Sequence, residues 1–208
     1  MKTPPTAATR NLIWHSHSVT REQREELNGH KAGVVWLTGL PASGKSTIAH
    51  AVEEKLVHAR FQTIVLDGDN IRHGLCDDLG FSLSDRNENI RRTGEVAKLL
   101  LQAGVVVLVA LVSPVRTARE KTRKLISAGD FLEIYVKCPL AICRKRDPKG
   151  FYAKADSGAI PEYTGVSSPY EAPLDPALIL DTENESVEES VNHLARFLLD
   201  KLGGVAMS

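Results

Sequence analysis

Val34-Val35-Trp36-Leu37-Thr38-Gly39-Leu40-Pro41-Ala42-Ser43-Gly44-Lys45-Ser46 is the stretch on which the fold turns. Val34 to Thr38 reads as a buried strand. It runs straight into the pattern G-x-x-x-x-G-K-S. From Lys45 to about Val57, Ile48, Ala51, Val52 and Leu56 then recur on one helical face. A glycine loop between a strand and a helix is the context that makes this pattern a P-loop. Gly39 and Gly44 allow backbone angles and close approaches that a Cβ would block. Backbone N–H groups then turn inward as an anion nest at a helix N-terminus. Gly39 to Thr47, with Leu40, Pro41, Ala42 and Ser43 between, is therefore assigned to the phosphates of ATP. Lys45 is placed to reach the β- and γ-phosphates, and Ser46 to ligate Mg²⁺.

Outward from this loop the chain alternates. Strands are predicted at Thr63–Leu66, Val105–Val112, Phe131–Val136 and Ala177–Leu180. Helices are predicted from Asn89 to Gln102, Pro114 to Ser127, Pro139 to about Arg146, and Ser186 to Leu202. A short helix precedes the first strand, with Thr20 as N-cap, Gln23 completing a capping box, and an end near Asn28-Gly29. Alternation of this kind predicts an α/β three-layer sandwich around a five-stranded parallel sheet, of the P-loop nucleoside triphosphate hydrolase/kinase type. Residues 1–10 have the composition of a flexible tail, and residues 11–208 read as one domain. Asp67 to Arg86, and residues 147–176, break the alternation. The second is predicted to be a lid.

The composition narrows the function. Lys plus Arg number 26 and Asp plus Glu 26, for a formal net charge of zero. That argues against a broad surface for nucleic acid or anionic membrane. No stretch approaches the ~20 apolar residues of a membrane span, and the N-terminus lacks the apolar core of a signal peptide. The cysteines, Cys76, Cys138 and Cys143, have no metal-ligand spacing. Reduced thiols and a cytoplasmic setting are expected. No Asn-Lys-x-Asp guanine-reading motif occurs, and the third strand runs into Ser113-Pro114 rather than Asp-Glu. A small-molecule kinase is the reading favoured.

Asp67-Gly68-Asp69-Asn70-Ile71-Arg72 follows the second strand, at the edge where α/β sheets carry ligands. A phosphoryl acceptor needs a carboxylate to orient its hydroxyl, and Mg²⁺ needs oxygen ligands. Asp67 and Asp69 can supply both, with Asp67 the first choice. Arg72, Arg86, Arg91 and Arg92, with Phe81 and Asn89 among them, form a cluster suited to an anionic, nucleotide-like acceptor. The basic run from Arg144 to Lys154, interrupted by Pro148 and Gly150, opens the lid, and Tyr163 adds an aromatic face later in it. Ser113 reads as a helix N-cap followed by Pro at N1, at the active edge of the sheet.

These residues together resemble the adenylylsulfate kinase (APS kinase) family. The resemblance runs from Asn11-Leu12-Ile13-Trp14-His15 to the last helix. It is carried by Leu66–Arg72, Asp85–Arg92, Arg146-Asp147-Pro148-Lys149-Gly150, Tyr163-Thr164-Gly165 and Pro169-Tyr170-Glu171-Ala172-Pro173. It implies phosphorylation of the 3′-hydroxyl of adenosine 5′-phosphosulfate (APS) by MgATP, giving PAPS and ADP in sulfate assimilation, and a homodimer. It also implies that Arg72, Arg86 and Asn89 bind APS, that Phe81 and Tyr163 sandwich its adenine, and that Lys149 meets the phosphosulfate or the transferring phosphate. Ser113 falls at the family position described as a phosphoserine intermediate, although direct in-line transfer needs no covalent step. The chain departs from the family pattern at Tyr163 (usually Phe), at Val115 (commonly Tyr) and at Pro41-Ala42 (more usually Ser-Gly). A kinase for shikimate, gluconate or a nucleoside would not need two stacking aromatics beside the arginines. A nucleotide-binding module without turnover would not need Lys45, Ser46 and the aspartates.

Overall fold

The computed structural model describes residues 18–127 and 129–203, with Ile13 and His15. The proposed tail at 1–10 lies outside them. The elements are α1 (Arg21–Asn28), β1 (Gly33–Thr38), α2 (Lys45–His58), β2 (Thr63–Asp67), α3 (Leu83–Gln102), β3 (Val106–Ala110), α4 (Arg116–Arg123), β4 (Phe131–Lys137), α5 (Leu140–Arg146), α6 (Phe151–Asp156), β5 (Leu178–Asp181) and α7 (Val187–Leu202), with a 3₁₀ turn at Asn70–His73. The sheet has five parallel strands in the order β2-β3-β1-β4-β5. The expected α/β sandwich is thus present.

Every residue of β1 is buried. Side chains alternate across a strand, so Val35 and Leu37 enter one core with α2 and α7, where Ile48, Val52, Leu194 and Leu198 are packed. Val34 and Trp36 enter the other core with Ile90, Ala97 and Ala118 of α3 and α4. The Thr20/Gln23 capping box forms, and Gly29 ends α1 at φ 73°.

Three boundaries differ from expectation. Helix α3 begins at Leu83, because Ser82 caps it by accepting the Asp85 N–H. The irregular stretch after β2 is correspondingly shorter. Residues 147–176 are not all irregular either, since α6 lies among them. Helix α4 spans only Arg116–Arg123, and Ser113 is not its N-cap. The Glu171 carboxylate does the capping instead, accepting the Arg116 N–H at 2.7 Å. After Arg123 the chain tightens into i→i−3 hydrogen bonds at Leu125 and Ile126 and buries Ile126.

A buried ion pair locks this region. Arg119 and Glu133 have side chains 1% and 5% exposed, with Nε and Oε1 at 2.6 Å. Arg119 also donates to the carbonyls of Ser113, at 2.6 Å, and Glu171, at 2.7 Å. Glu133 accepts a second guanidinium, from Arg123, at 2.6 Å. The segment Tyr170–Ala172 is thereby strapped to the chain leaving β3. Removing one partner of such a pair strands buried charge. Glu133→Ala is expected to cost about 3–5 kcal/mol of stability, read from urea unfolding. A loss below about 1 kcal/mol, the value of a surface pair, would contradict this role.

Candidate active site

The C-terminal ends of β1, β2 and β3 open into one cavity of about 1070 Å³. This is the sheet edge at which ligands of open α/β folds bind. Its walls are the P-loop, the Asp67–Arg72 segment, Val112–Pro114, two parts of the α5–β5 excursion, and residues 182–187.

The P-loop shape follows from its glycines. A Cβ at Gly39 would lie 2.4 Å from the Val136 carbonyl oxygen of β4, so only glycine fits. Gly44 adopts φ 105° and Ala42 φ 61°, so Ala42 carries its Cβ in the left-handed region. Lys45 is folded under the loop, with Nζ donating to the carbonyls of Leu40 at 2.7 Å and Gly39 at 3.1 Å. Burial pushes the Lys45 ammonium down to about 8, against the upward pull of Cys143, Asp67 and Asp69. Ser46 and Thr47, exposed, line the cavity beside it.

On the β2 side the aspartates differ. Asp67 is buried; its Oδ1 accepts the Asp69 N–H at 2.9 Å. Its Oδ2 is buried with no partner. Asp69 is exposed and ion-paired with Lys149 of the excursion. Among the described residues, no group of three or more His, Cys, Asp or Glu side chains could hold a metal by itself.

The expected arginine cluster divides. Arg72 and Arg86 line the cavity with Phe81, their guanidinium carbons 4.4 Å and 5.6 Å from its ring centre. Arg72 donates to the carbonyls of Leu79 and Gly80, and Arg86 to those of Phe81 and Glu162. Burial, aided by the Arg72 charge, holds Arg86 below the usual arginine range. Arg91 and Arg92 do not join them. Arg91 pairs with Glu88, and Arg92 with Glu88 and Asp78. Helical spacing explains the split, because Asn89 and Ile90 take the inward face of α3. Asn89 is buried, and its Nδ2 has no hydrogen-bond partner of normal geometry. Tyr163 also lines the cavity, edge-on to Tyr152 and Phe151, and burial raises its phenol to about 12.

Ser113 is a buried wall residue at φ 38°. Its Oγ accepts the Trp36 indole N–H at 3.1 Å, and its O–H points to the Leu111 carbonyl at 3.4 Å.

Other contributors gave little sequence signal. Arg146, read as part of a basic run and of the Arg146–Gly150 motif but given no role, binds the Thr182 hydroxyl and carbonyl, and Thr182 donates to the Ser43 carbonyl at 3.0 Å. Tyr152 donates to the Pro41 carbonyl at 3.1 Å, seating the excursion on the P-loop. Thr164 is wholly buried at the cavity wall.

The family model for adenylylsulphate kinase matches residues 31–181. The chain belongs to the adenylylsulphate kinase family. It is 55% identical over 195 residues to the adenylyl-sulfate kinase of Prochlorococcus marinus, covering 94% of this chain and 97% of that one. It is 52% identical over 191 residues to the adenylyl-sulfate kinase of Acaryochloris marina, covering 92% and 93%. The solved structure of the Mycobacterium tuberculosis APS kinase CysC, in complex with AMPPNP and APS, is similar with a TM-score of 0.76 at 46% identity. That match covers 82% of this chain and 97% of that one. A gluconokinase from Sinorhizobium meliloti shares the fold, with a TM-score of 0.53 at 16% identity. This family member is therefore an ATP-using phosphotransferase.

Phosphates favour the charged form of Lys45, so ATP binding should return its pKa toward the ordinary lysine range. At pH 8 about half of the Lys45 population is neutral before binding. Binding at pH 8 is then expected to take up about half a proton per site from this group. Calorimetry in buffers of different ionisation enthalpy reads this directly. The uptake should vanish in Lys45→Met, and equal uptake by that variant would assign the proton to another group.

Proposed function

We propose that this kinase transfers the γ-phosphate of ATP to the 3′-hydroxyl of adenosine 5′-phosphosulfate, giving PAPS and ADP. The observation that carries the reading is Asp67 Oδ2. It is a buried carboxylate oxygen without a partner, in the cavity that also holds Lys45, Arg72, Arg86 and Tyr163. A donor-phosphate cradle, a proton acceptor and an anion-binding, aromatic-lined pocket thus share one cavity.

In this reading the P-loop N–H groups and Lys45 hold the β- and γ-phosphates, and Arg146 with residues 182–187 flanks the rest of ATP. Arg72, Arg86 and Asn89 bind the phosphosulfate side of APS, while Phe81 and Tyr163 stack on its adenine. Asp67 orients the acceptor hydroxyl and takes its proton as the phosphoryl group arrives in line. Lys149 exchanges Asp69 for the transferring phosphate, and the excursion acts as the lid that excludes water.

The residues fit Mg²⁺. Ser46 and Asp67 present hard oxygen donors to the same cavity, and Mg²⁺ needs only one or two protein oxygens beside phosphates and water. When bound there it supplies charge neutralisation at the phosphate oxygens. Ser113 serves as wall rather than phosphoryl carrier, its hydroxyl being committed to Trp36 and Leu111. The reading carries with it a homodimer and a cytoplasmic setting, the latter consistent with three free, buried thiols.

The test is coupled ADP release with APS against gluconate, shikimate and adenosine as acceptors. APS-dependent release is expected, and none from folded protein would sink the proposal. Lys45→Ala and Asp67→Ala should each lower kcat by about a hundredfold or more, whereas Ser113→Ala should keep most of its turnover. Near-normal turnover in Asp67→Ala would move its role to Asp69.

A further inference from the structure

The P-loop alternates in backbone hand. Ala42 has φ 61° and Gly44 φ 105°, with Ser43 between them outside the left-handed region. Alternation of this kind turns backbone N–H groups to one side, as a nest for an anion. An alanine in the left-handed region persists only where its surroundings impose it. The carbonyls of the loop show what imposes it. Lys45 Nζ holds those of Gly39 and Leu40. Tyr152 holds that of Pro41, and Thr182 that of Ser43. In the proposed reaction Lys45 leaves its carbonyls for the phosphates, whereas Tyr152 and Thr182 keep theirs.

Thr182 follows β5 directly and is buried. Its hydroxyl lies 3.0 Å from the Ser43 carbonyl oxygen and 3.2 Å from that of Lys137. A hydroxyl has one hydrogen to give. The Lys137 carbonyl already accepts the Thr182 N–H at 3.0 Å, and the Ser43 carbonyl is the nearer. Arg146 Nη1 donates to the same hydroxyl oxygen at 3.2 Å, and Nη2 to the Thr182 carbonyl. A cationic donor occupies a lone pair of the oxygen and leaves its hydrogen for a carbonyl. Arg146, Thr182 and Ser43 thus form one chain of hydrogen bonds from the end of α5 to the P-loop.

The next residue takes its direction from this chain. In a planar trans peptide the C=O and the N–H point in opposite directions, and the described peptides include no cis bond. Holding the Ser43 carbonyl on Thr182 therefore aims the Gly44 N–H away from Thr182. Gly44 is the N-cap of α2 and lines the cavity. We infer that Thr182 is a positioning residue of the donor site. Its hydroxyl, oriented by Arg146, fixes the Ser43–Gly44 peptide so that the Gly44 N–H meets a phosphate of the nucleotide. This inference rests on the placement of the ATP phosphates on the P-loop. Arg146 ends α5, immediately before the excursion that forms the lid, so the same chain ties the root of the lid to the phosphate cradle.

Two variants test this, Thr182→Val and Thr182→Ser. Valine keeps the shape and removes the hydroxyl; serine keeps the hydroxyl. Both are compared with wild type for Kd of ADP by calorimetry and for KM of ATP and of APS by coupled ADP release, with circular dichroism to verify the fold. In Thr182→Val, Kd of ADP and KM of ATP should rise about tenfold, while KM of APS stays within about twofold of wild type. Thr182→Ser should recover most of the lost affinity. Unchanged ADP binding in folded Thr182→Val overturns the inference. So does an equal rise in KM of ATP and of APS, which marks a general loosening of the cavity, and so does a serine variant no better than valine. If Thr182→Val does not fold, Thr182→Ala takes its place, and loss of fold in both assigns the hydroxyl to the fold alone and overturns the inference too. Lys45→Met with the ADP affinity of wild type would instead reject the placement of phosphates on the P-loop. Wild-type protein inactive with APS would reject only the acceptor and leave the ADP measurement standing, so the failures are distinct.

Discussion

The burial of β1 on both faces and between two parallel neighbours governs the chemistry of this protein. With β3 on one side and β4 on the other, β1 has neither a free edge nor a solvated face. Its chain must emerge at the middle of the sheet's C-terminal edge. There the turn has little room, because Gly39 passes against the Val136 carbonyl of β4. The glycine loop is thus shaped by the strand beside it as well as by its own sequence. The N-terminus of α2 then points its unpaired N–H groups into the one cavity to which β2 and β3 also deliver residues.

A second constraint works from the opposite wall. Arg119 reaches Glu133 on β4, the carbonyl after β3 and the carbonyl of Glu171. One guanidinium therefore joins β4, the chain leaving β3 and the end of the excursion. Burying such a pair is costly in desolvation, and its geometry offsets the cost only because the donors are matched by acceptors. It also explains how Ser113 can rest at φ 38°, a conformation that surrounding structure must impose. The Pro169-Tyr170-Glu171-Ala172-Pro173 segment acquires its meaning here, as the strap that caps α4 and holds the Ser113 side of the cavity.

Local departures from good packing concentrate at the cavity. Ala42 and Ser113 line it in the left-handed region, and Glu162, also at positive φ, hands its carbonyl to Arg86. Asp67, Thr164 and Asn89, each with an unpartnered buried polar atom, are lining residues of the same cavity. Outside the cavity the departures are fewer, at Arg60 with φ 67° and at the unpartnered Thr63 Oγ1 and Arg123 Nε. A concentration of departures at one site is the pattern expected of a fold that carries function there.

The sequence by itself determined what depends on near neighbours in the chain. Strand periodicity, the capping box of α1, and the glycine loop with its lysine were all legible, because each is a local rule about backbone angle or side-chain direction. So was the α/β architecture, since alternation leaves few topologies. Much of the P-loop side of the cavity follows from that alone. The tertiary structure decided the rest. It separated Arg72 and Arg86 from Arg91 and Arg92, which equal charge made look alike and which only the inward face of α3 tells apart. It moved the capping of α4 from Ser113 to Glu171, a partner 55 residues away. It distinguished Asp67, with an open buried oxygen, from Asp69, paired with Lys149. It also brought Thr182 to the cavity, a threonine that nothing in the chain singled out. The physical reason is the same in each case. Burial and hydrogen-bond satisfaction are set by partners distant in sequence, and no local pattern states which acceptor a donor will find.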